Sequence, residues 1–187
     1  MVPVVPGSDT VMSIAGTEQA APIDEVRGFN NVVEMDTIFT AANITGLASL
    51  QRVTNGLHAN DMVGPQALRS VGGTLESVGS GVRAIRLPQL EEVGGDVIIE
   101  RTRVAELAFP ALRTVAGSLE ILGNGRIEFW GGLAHGATIQ GDLRAEYNAP
   151  VRDEVFENWL VASETTVSGN TRICGNRPRE EEGELCQ

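Results

Sequence analysis

The sequence predicts a mainly β fold, a single-domain parallel β-solenoid with coils of about 22 residues and a short C-terminal capping helix. Three observations carry that expectation. The chain repeats itself: Leu68, Val71, Gly72, Gly73 and Leu75 match Leu90, Val93, Gly94, Gly95 and Val97, which in turn match Leu112, Val115, Ala116, Gly117 and Leu119. After the glycines the side chains alternate with the period of a strand, Val97 and Ile99 against Asp96, Ile98 and Glu100, then Leu119 and Ile121 against Ser118, Glu120 and Leu122. The Gly pairs supply tight bends before each strand, and Pro88 and Pro110, which cannot donate to a ladder, belong at corners. Stacked in register about 4.8 Å apart, such coils put Val71, Val93 and Val115 in one internal column and Leu68, Leu90 and Leu112 in another.

In chain order, residues 1–28 mix Pro, Gly and short apolar pairs and are expected to form an extended arm or an irregular first rung. Residues 29–169 are the solenoid. Its first coils are weaker copies: Asn31 to Met35 and Thr37 to Thr40 are strand-like, and Leu50 and Val53 imitate Leu68 and Val71 at a shorter step. Beyond the strict repeats, Gly141, Leu143 and Ala145 echo Gly117, Leu119 and Ile121, and Asn148 echoes Asn124. Between them, Phe129 to Leu133 departs from the pattern and reads as a projecting loop near Arg126, Trp130 and His135. Trp130 there is either an exposed anchor beside an arginine or a ring folded back over the core edge. Residues 152–162 change period: Val155, Phe156, Trp159 and Leu160 make one helical stripe, Pro150 precedes it, and Asp153 and Glu154 suit its first turn. The helix is expected to lie over the open end of the solenoid. Thr165 to Gly169 then reads as a last rung, and residues 170–187 as a C-terminal cap and acidic tail.

The run Leu90, Val93, Gly94, Gly95, Val97, Ile99 and the run Phe109, Pro110, Leu112, Val115, Gly117, Leu119, Ile121 resemble the receptor L-domain repeat. That repeat forms ligand-binding lobes of insulin- and epidermal-growth-factor-type receptors, and related repeats occur in fungal cell-wall and bacterial secreted proteins. The resemblance covers residues 45–150 and implies a β-helix-like solenoid that binds a protein or a glycan. Its pattern overlaps with leucine-rich repeats, whose asparagine ladder is partly matched by Asn124 and Asn148.

Composition narrows the functional classes. With 4% aromatic residues the core must be aliphatic, and a net charge of −11 opposes nucleic acid and polybasic membrane contact. All 14 basic residues are Arg, so no lysine chemistry is available. No apolar run is long enough to span a membrane. Cys174 and Cys186 sit away from any C-x-x-C pair and from His58 and His135, which points to a disulfide closing the tail, hence an oxidising compartment, and not to zinc. No cofactor and no metal are expected. A polysaccharide-degrading β-helix would need clustered carboxylates, but Ile98 interrupts the outward column Glu76, Glu120, Arg144, and Leu122 the column Glu100, Glu146. The expectation is a non-enzymatic extracellular or cell-surface binding module. The alternatives are a structural subunit of a virion or extracellular assembly, in which copies contact one another, and a degrading enzyme. The candidate binding surface is Ile98, Glu100, Glu120, Leu122, Arg126, Trp130 and His135.

Overall fold

The computed structural model describes residues 31–39, 43–44, 47–63, 65–177 and 186, with the strand backbones of Ile14–Ala15 and Glu25–Val26. Most of residues 1–28 and of the acidic tail therefore lie outside the described residues. The chain coils into a parallel β-solenoid of three sides. One side is a sheet of eight strands: Ile14–Ala15, Ile38–Phe39, Leu57–His58, Leu75–Val78, Val97–Glu100, Leu119–Leu122, Leu143–Glu146 and Thr171–Cys174. A second is a sheet of seven: Glu34–Met35, Arg52–Val53, Ser70–Val71, Glu92–Val93, Thr114–Val115, Thr138–Ile139 and Thr166–Val167. The third side is thinner, made of Glu106–Ala108 paired with Phe129–Gly132, of Glu25–Val26 paired with Asn43–Ile44, and of single bridges from Ile44 to Met62 to Ile85.

Register follows the apolar pattern. In the seven-stranded sheet Val53, Val71, Val93, Val115, Ile139 and Val167 are successive partners, and in the eight-stranded sheet Leu57, Leu75, Val97, Leu119 and Leu143 are. The predicted columns are thus present, and Val71, Val93, Val115, Leu68, Leu90 and Leu112 have no exposed surface. A one-residue slip would turn every one of them to solvent, so burial and register enforce each other. The prolines sit where their fixed φ is useful. The Leu90 N–H donates to Leu87 O and the Leu112 N–H to Phe109 O, which makes Pro88 and Pro110 the second residues of tight turns.

A buried polar ladder runs along one corner. Arg101, Gly123, Tyr147 and Gly175 all have positive φ, and each turns the chain so that the next residue, Thr102, Asn124, Asn148 or Asn176, is buried. Thr102 donates its N–H and hydroxyl to Asn124 Oδ1 at 2.9 and 2.7 Å. Asn124 Nδ2 donates to Ile99 O and to Asn148 Oδ1, both at 2.9 Å. Asn148 Nδ2 donates to Ile121 O at 2.7 Å and Asn176 Oδ1 at 2.8 Å, and Asn176 Nδ2 to Ala145 O at 2.6 Å and Asp153 Oδ1 at 2.7 Å. Asparagine suits every middle rung because one amide both accepts and donates twice. Threonine starts the chain of donors, and a carboxylate, which only accepts, ends it.

One expectation needs correction. Phe129 to Leu133 is not a projecting loop: Phe129–Gly132 is a strand on the third side, with Trp130 at 5% exposure. The short C-terminal helix, Asp153–Ala162, is present as expected and covers the open edge of the third side. It takes the place of a third-side strand in its own coil, after the bridge from Ile127 to Pro150, and packs beside Phe129–Gly132. It buries Phe156, half-buries Trp159 and Leu160, and leaves Val155 exposed. Trp159 lies on Gly132, where any side chain would collide with the indole, and meets Trp130 edge-on at 5.1 Å. One further coil, Thr166–Val167 and Thr171–Cys174, follows as predicted.

Candidate functional site

The flat outer face of the eight-stranded sheet gathers more of the predicted binding residues than any other surface described. Along each strand, alternate residues leave the core, so the register places Glu76, Ile98, Glu120, Arg144 and Arg172 in one outward column and Val78, Glu100, Leu122, Glu146 and Cys174 in the next. Over the three central strands the two columns form a chequerboard: Glu76 beside Val78, Ile98 beside Glu100, Glu120 beside Leu122. All six are half-buried, as side chains standing on a flat sheet are. Between Glu76 and Cys174 the two columns hold no aromatic residue; towards the N-terminus the register carries the first column on through His58 to Phe39.

Each carboxylate has a basic side chain at hand. Glu76 meets His58 Nδ1 at 2.7 Å, Glu100 meets Arg101 at 2.8 Å and Glu120 meets Arg144 at 3.7 Å. Glu146 takes Arg144 Nε at 2.9 Å and Arg172 Nε at 3.7 Å, and is the one acid of the face that is almost wholly covered, at 5% exposure. The hydrogen bond from Arg144 to Glu146 raises the guanidinium's pKa above its ordinary value, with the charges of Glu146, Glu120 and Asp142 adding and desolvation opposing. The guanidinium therefore stays charged at any working pH.

Cys174 and Cys186 are joined in a disulfide, as their spacing predicted. Glu146 Oε and the two sulfurs lie within 4.8 Å of one another, but bonded sulfurs offer no thiolate, so the trio is not a zinc set while the bond is intact.

The remaining predicted residues do not assemble. Trp130 faces inward against Phe156 and Trp159, with ring centroids 5.3 and 5.1 Å away, and so belongs to the core and to no exposed patch. Arg126 is exposed and lies 3.8 Å from Glu128; His135, at the opposite end of the Phe129–Gly132 strand, is exposed and 3.9 Å from Glu164. Val78, His58 and Arg172 join the face without having been singled out. Val78 was legible, since it stands to Leu75 as Glu100 does to Val97; the other two come from coils too short or too diverged to align by eye. No helix among the described residues is long and apolar enough to cross a membrane. No protein-family model, no curated protein and no solved structure matches the chain.

Proposed function

We propose that this chain is a non-catalytic recognition module of an extracellular or cell-surface protein, related to receptor L-domain repeats, and that its eight-stranded face binds a protein partner. The observation that carries this reading is the chequerboard of Glu76, Ile98, Glu120 with Val78, Glu100, Leu122 on a rigid, flat sheet. Carboxylates interleaved with aliphatic side chains complement a surface of cationic and apolar groups, and Ile98 and Leu122 have no structural need to face outward. A protein is favoured over a glycan because the part of the face between Glu76 and Glu146 alternates carboxylates and aliphatic side chains and holds no aromatic ring on which a sugar could stack. The disulfide agrees with an oxidising compartment.

The test is to select binders from a displayed random-peptide library and to probe a glycan array in parallel. Selected peptides should be rich in Arg and Lys interleaved with aliphatic residues, and should lose binding to an Ile98→Asp/Leu122→Asp variant whose circular dichroism is unchanged. Binders that are indifferent to the double variant, or binding confined to glycans, would overturn the reading.

A further inference from the structure

The chain holds two Asn-Gly pairs, Asn55-Gly56 and Asn124-Gly125, and the fold treats them in opposite ways. An Asn-Gly pair reacts when the backbone nitrogen of the glycine attacks the asparagine side-chain carbonyl. A C–N bond forms, ammonia leaves and a cyclic imide remains. Water then adds to one imide carbonyl or the other, giving aspartate or isoaspartate. Glycine favours the step because no Cβ crowds the attacking nitrogen. The attack needs a nitrogen that is not held in a hydrogen bond and an amide that can swing towards it.

Asn124 has neither freedom. It is fully buried, its Oδ1 is held by Thr102, its Nδ2 by Ile99 O and Asn148 Oδ1, and the Gly125 N–H donates to Thr102 O at 3.2 Å. Asn55 is exposed, on the turn between Arg52–Val53 and Leu57–His58. The Gly56 N–H donates to no described group. In later coils the equivalent nitrogen is capped by the side chain one coil earlier: Ser118 N–H by Asp96, Asp142 N–H by Ser118 Oγ and Asn170 N–H by Asp142. That outer ladder of caps does not reach back to Gly56.

We propose that Asn55 is a site of spontaneous deamidation, an ageing site built into the turn between Arg52–Val53 and Leu57–His58. The consequence is local. Asn55 Nδ2 now donates to Asp36 Oδ1 at 2.7 Å, so a carboxylate there sets two acids against each other. Isoaspartate also lengthens the backbone at a turn whose N–H binds Asp36 O at 2.8 Å and whose carbonyl takes the Gly73 N–H at 2.6 Å. Residues 31–39 lose one of their ties to the rest of the stack.

The whole disulfide-bonded chain is incubated in mildly alkaline buffer and peptide-mapped for the mass gain of NH2 to OH. Asn55 is expected to convert about a hundredfold faster than Asn124, because Asn124 reacts only in molecules whose ladder has opened locally. Gly56→Ala, whose added methyl points towards the flexible end of His58, should slow conversion at Asn55 and leave Asn124 unchanged. Comparable rates at the two asparagines, or an intact Asn55 when a urea-unfolded sample has converted fully, would overturn the proposal.

Discussion

Between Leu68 and Leu122 every coil spends the same length of chain, whereas the two coils after Leu122 spend more, and yet the same register runs through both regions. The corner ladder measures the difference: Thr102 to Asn124 is 22 residues, Asn124 to Asn148 is 24 and Asn148 to Asn176 is 28. The two main sheets do not change, since Leu119–Leu122, Leu143–Glu146 and Thr171–Cys174 pair residue for residue. The surplus goes to the third side. There the 10-residue helix spans about 15 Å, the length of a strand of about 4–5 residues, which accounts for the 6 extra residues of the longest coil. Stacking is therefore governed by what faces inward at the corner and along the sheets, and coil length is free to vary wherever a helix can stand in for a strand.

The sharpest way to break that equivalence is to remove the rung shared by both regions. Asn148→Ala takes the side-chain acceptor from the Asn124 N–H and Nδ2 and the side-chain donor from Ile121 O, while Asn176 Oδ1 keeps the backbone N–H of residue 148, and at about 1–3 kcal/mol per buried group that loses its partner the loss should reach about 3 kcal/mol. The midpoint of urea unfolding reads it. A loss below about 1 kcal/mol would mean that aliphatic packing alone holds the register.

A second comparison sharpens the difference between middle and end. Leu119 is wholly enclosed by the coils on either side, while Ile173, the last residue of the neighbouring inward column, is half-exposed. Leu119→Ala should cost about 2–5 kcal/mol and Ile173→Ala less than about 1.5 kcal/mol, measured in the same denaturant series. Equal costs would show that the end of the stack is covered as well as its middle.

How far each region could be read in advance follows from the same contrast. The middle coils spell their structure three times over, so Val71, Val93 and Val115 could be stacked by inspection, and alternation alone put Ile98, Glu100, Glu120 and Leu122 on one face. The later coils misled because local spelling and long-range cause diverge. Gly131-Gly132 resembles the corner glycines of the earlier repeats, but Gly132 is small because the Trp159 indole of a later helix rests on it. For the same reason Trp130 could be taken for a surface anchor. The ladder was half legible. Gly precedes Asn at 123–124 and at 175–176, a recurrence that could have found Asn176, but Arg101 and Tyr147 adopt the same left-handed turn without being glycine. Thr102 does not look like an asparagine, and Asp153 sits at the start of a helix, where macrodipole chemistry is explanation enough.

That double role of Asp153 gives the smallest and most discriminating prediction. Its carboxylate accepts from Asn176 N–H at 2.9 Å and Nδ2 at 2.7 Å, and it also stands in the first turn of the helix beside Glu154. If the ladder contact is what matters, Asp153→Ala should cost about 1–2 kcal/mol, within the range of a lost cap, and speed amide exchange at Asn176 and in the helix, with Val97 to Leu122 unaffected. Asp153→Asn keeps an accepting oxygen and should behave nearly as the native chain. Glu154→Gln removes a first-turn charge without touching the ladder and should cost at most about 0.5 kcal/mol. A pattern in which Asp153→Asn and Glu154→Gln lose as much as Asp153→Ala would assign the effect to helix charge, and would uncouple the last rung from the helix that replaces its neighbour's strand.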